Sequence, residues 1–362
     1  MKKIVSFLAV ACISQLLFAQ EVTIPGSQLR KLTSSIVAGQ EYTLHIMLPG
    51  GYANSNKTYP VVYLMDSQWD FPLVQALYGE QFYDGFIPQM IVVGITWGGT
   101  NPNPDSLRAR DYTPTNVKGT PQSGGADKFL SFMKEELFPF IEKNYRADKN
   151  GRTLMGCSFG GLFTMYALFT HPEMFERYVA ASPAFMWDNN VLSQSEKKYA
   201  ANTSNPPAKL FMCVGGVESS VSAFQQLTKH LNDQHYKSLQ IESRVLENTG
   251  HSGTKGEGYA RGLQFVFKKP SRPSLQLSDA ALQKYMGKYQ LTNGMTAELK
   301  KENNQLFLYT STNEKIPLYV ASEKEFYSTV GPVTIKFKYD DNKNITAADV
   351  ETNGGTFLAK KL

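Results

Sequence analysis

A serine stands between two glycines in the segment RTLMGCSFGGLFTMYALF, residues 152–169, at the spacing G-x-S-x-G. Residues 153–155 predict a strand that enters the motif, and the residues from Gly160 predict a helix that leaves it. Small neighbours permit a sharp strand-to-helix turn that exposes the hydroxyl of Ser158, as nucleophilic catalysis requires. The backbone N–H of Phe159, at the helix start, is then a candidate oxyanion donor. The pattern favours a nucleophile over the alternative, a purely structural turn.

A serine nucleophile needs a general base, and the chain contains five histidines. His251 lies in the segment NTGHSG, a turn-forming loop that follows the last predicted strand of the repeating pattern, so its side chain is expected near Ser158. The other histidines fall on predicted strand or helix faces or at a helix end, where packing or surface roles are expected: His45, His171, His230 and His235.

The base in turn needs an orienting carboxylate, which in this chain order lies between serine and histidine. Glu218 fits best, because it ends the loop GGVE after a predicted strand. Asp66, at the end of an earlier strand, is the main competitor for this role. Glu247 is so close in sequence to His251 that the geometry would be cramped.

Strand-like and helix-like segments alternate from residue 41 onward, which predicts an α/β fold with a mostly parallel sheet between helices. The predicted strands are 42–48, 61–65, 91–96, 153–157, 178–181, 210–214 and 239–246. The predicted helices are 129–141, 160–170, 222–234 and 252–268, and residues 98–124 are expected to form a long, turn-rich segment. Ligands of such sheets bind beyond the carboxyl ends of the strands.

The pattern ends at the charged, proline-containing segment KKPSRP, residues 268–273, which is typical of an interdomain linker. We therefore expect a catalytic domain at 21–269 and a linker plus small all-β domain at 270–362. The predicted strands of the all-β domain are 287–291, 296–300, 305–309, 316–320, 333–338 and 356–360. This region contains no histidine, so it is a poor host for general-base chemistry.

The first twenty residues have the layout of a cleaved secretory signal peptide: a basic start, an apolar run to Phe18, then a polar junction near Ala19. A lipoprotein with Cys12 as the lipidated residue would leave only a short apolar run before it. We therefore expect a periplasmic or secreted protein.

Composition excludes several function classes. The formal charge of +5 falls to +3 once Lys2 and Lys3 are removed, too weak and scattered to suggest a nucleic-acid partner. No later stretch approaches the ~18 apolar residues of a membrane helix. The spacing of possible ligand residues predicts no metal site, and we expect no cofactor.

Cys157 and Cys213 fall on strands that are not expected to be adjacent, so two free, buried thiols are predicted.

Several segments together resemble the esterase family of α/β-hydrolases, which includes siderophore, feruloyl and acetyl-xylan esterases and formylglutathione hydrolases. They are YPVVYLMD (59–66), RARDYTP (108–114), GADKF (125–129) with EL (136–137), the serine motif, HP (171–172) with Phe175, and ASP (181–183) leading to WD (187–188). The likeness spans about residues 42–267 and is greatest to the siderophore-esterase branch. It implies an α/β-hydrolase fold and a triad at Ser158, Glu218 and His251. It also implies a second oxyanion donor just after Asp66, at Ser67 or Gln68. The C-terminal region is similar to small β-barrel domains appended to secreted bacterial serine hydrolases.

Aromatic residues in the loops at the expected site favour a planar acyl or aryl group in the substrate. The candidate substrate contacts are Trp69, Trp97, Tyr112 and Trp187, within a wider aromatic cluster that includes Phe71 and Phe185. Arg108 is a candidate for an acidic or catecholate group, although an ion pair of the loop arginines with Asp111 or Asp127 is favoured.

Three functions remain open at this point. One is a secreted serine esterase acting on small aromatic or siderophore-type esters. Another is an esterase that removes ferulate or acetate from polysaccharide, whose ester is glycan-linked. The third is a non-catalytic binding protein that retains the hydrolase fold.

Overall fold

The computed structural model describes residues 23–268, 274–302, 305–352 and 355–362. The expected signal peptide at 1–20 and most of the expected linker lie outside these ranges. Within them the chain forms an eight-stranded sheet flanked by helices, followed by a closed barrel of eight strands. The α/β-hydrolase fold and the separate all-β domain are both confirmed.

The sheet has the strand order β1-β2-β4-β3-β5-β6-β7-β8. Its strands are β1 (Ser27–Thr33), β2 (Glu41–Met47), β3 (Tyr59–Leu64), β4 (Ile91–Trp97), β5 (Ala147–Cys157), β6 (Arg177–Ala181), β7 (Ala208–Gly215) and β8 (Leu239–Leu246). Strands β3 to β8 pair in parallel, whereas β1 and β2 are antiparallel to their neighbours. The loops after β3, β5, β7 and β8 therefore leave the sheet at one edge.

Helices connect these strands. They are α1 (Ser67–Tyr83), α2 (Pro104–Tyr112), α3 (Ala126–Phe132), α4 (Phe138–Asn144), α5 (Phe159–Thr170), α6 (Trp187–Asn190), α7 (Leu192–Ala201), α8 (Val221–Asp233) and α9 (Thr254–Phe267), with α10 (Asp279–Gln283) before the barrel. The π-helical turn Met133–Leu137 joins α3 to α4, and 3₁₀ turns occupy Tyr52–Asn54 and Pro172–Met174.

Apolar side chains on both faces of the sheet form two separate cores. Alternate residues of β3 show the division: Val62 and Leu64 belong to one core, and Val61 and Tyr63 belong to the other. A strand buried on both faces must be apolar at consecutive positions, which explains the continuous hydrophobic runs of the central strands.

Cys157 and Cys213 are free and buried, as predicted. Cys157 ends β5 and Cys213 lies in β7, and strand β6 runs between them. The pKa of each thiol is raised to about 12, mainly because the thiol is buried. Both therefore remain protonated at neutral pH and behave as small core residues.

The barrel closes in the order β10-β11-β12-β13-β14-β15-β16-β9, with every neighbouring pair antiparallel. Its strands are β9 (Gly287–Leu291), β10 (Thr296–Glu302), β11 (Gln305–Thr310), β12 (Lys315–Ser322), β13 (Glu325–Tyr327), β14 (Thr334–Tyr339), β15 (Ile345–Thr352) and β16 (Gly355–Lys361). Six of these were predicted. Strand β13 is too short to show an alternating pattern, and a register shift between β14 and β15 interrupts the alternation of β15.

One expectation for the catalytic domain was wrong. Residues 98–124 are not turn-rich throughout, because α2 begins at Pro104 and ends at Tyr112. The Asn103 side chain accepts a hydrogen bond from the Ser106 N–H (3.2 Å) and so caps this helix. An asparagine followed by proline is a helix start signal that this interpretation missed.

Candidate active site

Ser158 occupies a strained turn between β5 and α5. Its backbone angles are φ 60° and ψ −118°, a region that residues with a side chain rarely adopt. A Cβ on Gly156 would lie 2.6 Å from the carbonyl carbon of Gly160, so the two glycines allow strand and helix to approach closely. The Ser158 N–H donates to the Ala181 carbonyl (3.0 Å), which anchors the turn to β6.

Phe159 begins α5, and its N–H is among those that an α-helix leaves without an intrahelical partner. A second helix starts at the same edge of the sheet. Asp66 follows β3 in the left-handed region (φ 54°), and Ser67 and Gln68 then open α1. The Ser67 side chain lies 3.1 Å from His45 Nδ1 and is buried. Two helix N-termini thus border the serine turn, an arrangement that favours a developing negative charge.

Glu218 and His251 are hydrogen-bonded to each other across the ends of β7 and β8. His251 Nδ1 lies 2.7 Å from Glu218 Oε2. The other carboxylate oxygen, Oε1, accepts hydrogen bonds from the Gly215 N–H (2.7 Å) and from the Ser182 hydroxyl (2.6 Å). The Glu218 side chain is mostly buried, whereas half of the His251 side chain is exposed. Such a pair fixes the imidazole orientation and leaves Nε2 available for proton transfer.

Ser182 is a positioning residue that the sequence interpretation missed. It follows β6 with φ 36° and donates to Glu218. Its oxygen also lies 3.0 Å from Thr254 Oγ1, and Thr254 donates to the His251 carbonyl oxygen (2.7 Å). The carboxylate and the loop of the histidine are therefore held by one network. Ser182 belongs to the ASP segment that carried the family resemblance, which is the only signal the sequence offered.

The pKa of Glu218 is lowered from its ordinary value. Burial by itself would raise this pKa, but hydrogen bonds from Ser182, His251 and the Gly215 N–H outweigh that effect. A carboxylate with a lowered native pKa contributes stability that is present above its ordinary pKa and is lost as pH falls through the native value.

We therefore expect Glu218→Gln to lower the free energy of unfolding by about 1–3 kcal/mol at neutral pH, where it loses charge-assisted hydrogen bonds. The difference from the unmodified protein should shrink at pH values below the ordinary glutamate pKa of 4.5. Urea unfolding curves at neutral pH and at a pH below 4.5 measure the difference in the free energy of unfolding. Glu247→Gln, at an exposed position, is the matched control. An equal loss at both pH values would contradict an ionised native Glu218.

The competing carboxylate, Asp66, has a different partner. Its two oxygens accept hydrogen bonds from Arg108 Nε (3.0 Å) and Nη2 (2.7 Å). Both side chains of this ion pair are largely buried. The arginine prediction is thus corrected in part: Arg110 pairs with Asp111, as expected, but Arg108 pairs with Asp66. A bidentate pair fixes the loop that precedes α1.

Two residues predicted to contact substrate are instead buried. Trp97 is 4% exposed, and its Nε1–H donates to Asp111 (2.7 Å). Tyr112 is 0% exposed, and its hydroxyl accepts from the Asp66 N–H (3.2 Å). With so little exposed surface and with their polar atoms bonded inside the protein, both pack in the core of the sheet. Phe71 and Phe185 of the wider aromatic cluster are buried as well.

The other predicted contacts form an aromatic and cationic cluster beside the serine turn. Trp187 meets Phe159 edge-on with ring centroids 5.2 Å apart, and its Nε1–H donates to Thr115. The Arg108 guanidinium lies 5.2 Å from the Phe159 ring centre and 5.8 Å from that of Trp69. Trp69 is 51% exposed, which is unusual for such a large side chain and marks it as a surface available to a ligand.

A second cation completes this cluster. Lys255 Nζ lies 6.0 Å from the Trp69 ring centre and forms an ion pair with buried Asp70 (2.6 Å).

Within the described ranges, no group of three or more His, Cys, Asp and Glu side chains could hold a metal ion. Nor is any helix of those ranges long and apolar enough to cross a membrane.

Comparison with known proteins identifies the family. The family model described as Putative esterase matches residues 34–260. The chain is 29% identical over 282 residues to the ferri-bacillibactin esterase BesA of Bacillus subtilis, which covers 70% of this chain and 91% of that protein. It is 30% identical over 231 residues to the endo-1,4-beta-xylanase/feruloyl esterase of Xylanibacter ruminicola, covering 59% of this chain and 27% of that protein.

Among solved structures, the BES protein from Bacillus cereus aligns with a TM-score of 0.64 and 28% identity, covering 70% of this chain and 99% of that chain. The matched residues 34–260 are more than half of the chain and include Ser158, Glu218 and His251. The family match ends before the barrel. The chain is a carboxylic ester hydrolase and belongs to the Putative esterase family.

Proposed function

We propose that this esterase acts through a triad of Ser158, Glu218 and His251 and an acyl-enzyme intermediate. The observation that carries the proposal is the 2.7 Å hydrogen bond between Glu218 and His251 at the sheet edge where the strained Ser158 turn lies. Ser158 Oγ attacks the ester carbonyl carbon while His251 Nε2 accepts the hydroxyl proton. The resulting oxyanion accepts hydrogen bonds from the N–H of Phe159 and from an N–H at the start of α1, at Ser67 or Gln68.

The tetrahedral intermediate collapses as the carbon–oxygen bond to the alcohol breaks, and His251 returns the proton to the leaving oxygen. Water then attacks the acyl carbon while His251 accepts one of its protons, the bond from that carbon to Ser158 Oγ breaks, and His251 returns the proton to Ser158 Oγ as the acid product leaves. Glu218 remains deprotonated throughout and stabilises the imidazolium that forms in each step.

We propose a small aromatic or siderophore-type ester as the substrate. Exposed Trp69 and half-buried Trp187 offer flat apolar surface. The Arg108 and Lys255 cations that lie near the Trp69 ring are each paired with a buried carboxylate, so the surface is aromatic without a free charge. Planar aromatic groups such as catechols suit it. The names of relatives that act on siderophores support the same substrate class.

The test is an activity panel of p-nitrophenyl acetate, methyl ferulate, acetylated xylan, and iron-free and ferric enterobactin. We expect the catecholate esters to give the highest kcat/KM. A preference for acetylated xylan or methyl ferulate would instead favour the second candidate, polysaccharide trimming, which the likeness to a feruloyl esterase supports. Absence of turnover on every ester of the panel would contradict both substrate classes.

We also propose export from the cytoplasm, on the pattern of residues 1–20. Amino-terminal sequencing of the protein recovered from the periplasm or medium should begin near Glu21. An intact Met1 on fully active protein in the cytoplasm would contradict export.

We further propose that the barrel is dispensable for the chemistry, so a chain ending at Lys268 should hydrolyse p-nitrophenyl acetate at a rate similar to the full chain. The barrel core is separate from both cores of the sheet. The barrel residue Pro332 packs against Gly85, which follows the C-terminal end of α1. Because α1 is about 25 Å long, this contact is far from Ser67 at the other end of the helix. The test compares the full chain with the truncated chain by their hydrolysis rates on a small ester and on a bulky ester. A folded truncated chain that has lost small-ester turnover would contradict an accessory role.

A further inference from the structure

The barrel contains a cavity of about 230 Å³ that has no part in the proposed chemistry. It lies inside the barrel and is lined by side chains of every strand except β13, together with residues of the turns at one end. An eight-stranded barrel has an interior that side chains can just fill, or that can hold one small ligand. The lining residues decide between these two cases.

Small residues leave the space. Ala297, Ala348 and Ala359 line the cavity on three different strands, and Ala348 is the direct cross-strand partner of Ala359. Below the cavity, large side chains fill the interior: Tyr285 and Phe326 are fully buried with ring centroids 4.5 Å apart. Phe337, which lines the cavity, lies 4.8 Å from Tyr285 and so joins the cavity wall to this aromatic cluster. The aromatic cluster closes one end of the barrel, and the alanines leave room above it.

The opposite end is the entrance. Met295 lies in the turn between β9 and β10, lines the cavity and is 50% exposed. Exposed Thr296 and Ser311, at the β9–β10 and β11–β12 turns, line it as well. A path from solvent into the interior therefore passes between these turns, and a ligand can enter without opening the strand ladder.

The chemistry of the lining selects the ligand. Among the described residues, no charged side chain lines the cavity, and its walls are aliphatic and aromatic. Hydroxyl groups are contributed by Thr296, Thr310, Ser311 and Thr352, next to the turns. A charged group would lose its hydration inside without gaining a partner, whereas an apolar group gains from burial.

We propose that the barrel binds an uncharged apolar molecule of about ten carbon atoms, with any hydroxyl-sized polar group at the entrance. The size follows from comparison with a cavity of about 150 Å³, which holds benzene. This is a second ligand site on the chain, independent of the ester-hydrolysing site.

Isothermal titration of the full chain with 1-octanol and with naphthalene tests the proposal and separates a chain-shaped from a ring-shaped ligand. We expect saturable binding of at least one of them with one site per chain. Octanoate, which has a similar length but carries a charge, should bind at least tenfold more weakly than 1-octanol. No saturable binding of either neutral probe, or tighter binding of octanoate, would overturn the proposal.

Neighbouring alanines of β15 provide a matched pair of variants. Ala348 faces the cavity, and Ala347 faces outward and is not among its lining residues. Ala348→Leu should weaken binding of the neutral probe at least tenfold, whereas Ala347→Leu should leave it unchanged. Hydrolysis of p-nitrophenyl acetate should be unaffected in both.

Circular dichroism melting reports whether each variant is folded. If Ala348→Leu does not fold, Ala359→Val occupies part of the same space from the adjacent strand with a smaller side chain. Equal probe binding by a folded cavity variant and by Ala347→Leu would show that the probe binds elsewhere and would overturn the proposal.

Discussion

Replacement of Ser158 by alanine should lower kcat for p-nitrophenyl acetate by about 10⁶-fold, because loss of the nucleophile of such a triad removes the covalent route entirely. The fold should be retained, since the hydroxyl of Ser158 takes no part in the hydrogen bonds that anchor the turn. Those bonds are made by its backbone N–H and carbonyl groups. Initial rates of the purified variant, together with its far-UV circular dichroism spectrum, measure both outcomes.

Ser252→Ala is the matched control, because Ser252 is an exposed serine directly beside His251. The same substitution there should leave kcat nearly unchanged, because the exposed Ser252 side chain makes none of the hydrogen bonds described above for Glu218 and His251. A folded Ser158→Ala variant with substantial activity would show that another group is the nucleophile.

The second large effect is expected at Glu218. Glu218→Gln keeps the size of the side chain but removes the charge that stabilises the imidazolium and selects the His251 tautomer. We expect kcat to fall by about 10⁴-fold, the order found when the acid of a serine triad is made neutral. The KM should change much less, because Glu218 is hydrogen-bonded to the histidine and its supporting loop and is not part of the proposed substrate surface.

Two further variants distinguish the candidate acids. Asp66→Asn should act through the ion pair with Arg108 and the turn before α1, with a smaller loss of kcat than Glu218→Gln. Exposed Glu247→Gln should have little effect. A collapse of activity in Asp66→Asn alongside a near-normal Glu218→Gln would transfer the role of the acid to Asp66.

Residues at strand ends were the most predictable part of the site. Ser158, Glu218 and His251 each follow a strand, and the alternation of strands and helices indicates that those strands are parallel. Parallel strands bring their carboxyl ends to one edge, so the alternation predicts that these loops leave the sheet at the same edge. The hydrogen bond from Glu218 to His251 agrees with that expectation.

Side-chain direction was much less predictable. Trp97 and Tyr112 lie near the loops of the site, but both point into the core, where Asp111 and the Asp66 N–H satisfy their polar atoms. Aromatic composition cannot distinguish this arrangement from a ligand-facing surface. Ser182 presents the opposite problem, because a single serine after a strand has no periodic signal and gains its role only from contact with Glu218.

The barrel shows the same division between pattern and packing. Alternation in short strands predicts an all-β unit, but a cavity depends on which inward positions carry small residues at the same height in the closed barrel. Ala348 and Ala359 are eleven residues apart and become partners only through the register of β15 and β16.

Covalent labelling tests the central claim, that Ser158 is the nucleophile of an esterase, most directly. The enzyme is treated with a fluorophosphonate, which forms a phosphorus–oxygen bond to an activated serine and releases fluoride, and is then digested for peptide mass spectrometry. We predict complete loss of activity with one phosphonyl group on Ser158, and no labelling of Ser158→Ala or of the acid-unfolded protein. A fully active enzyme that remains unlabelled at Ser158, or inactivation with the label on another residue, would contradict the account.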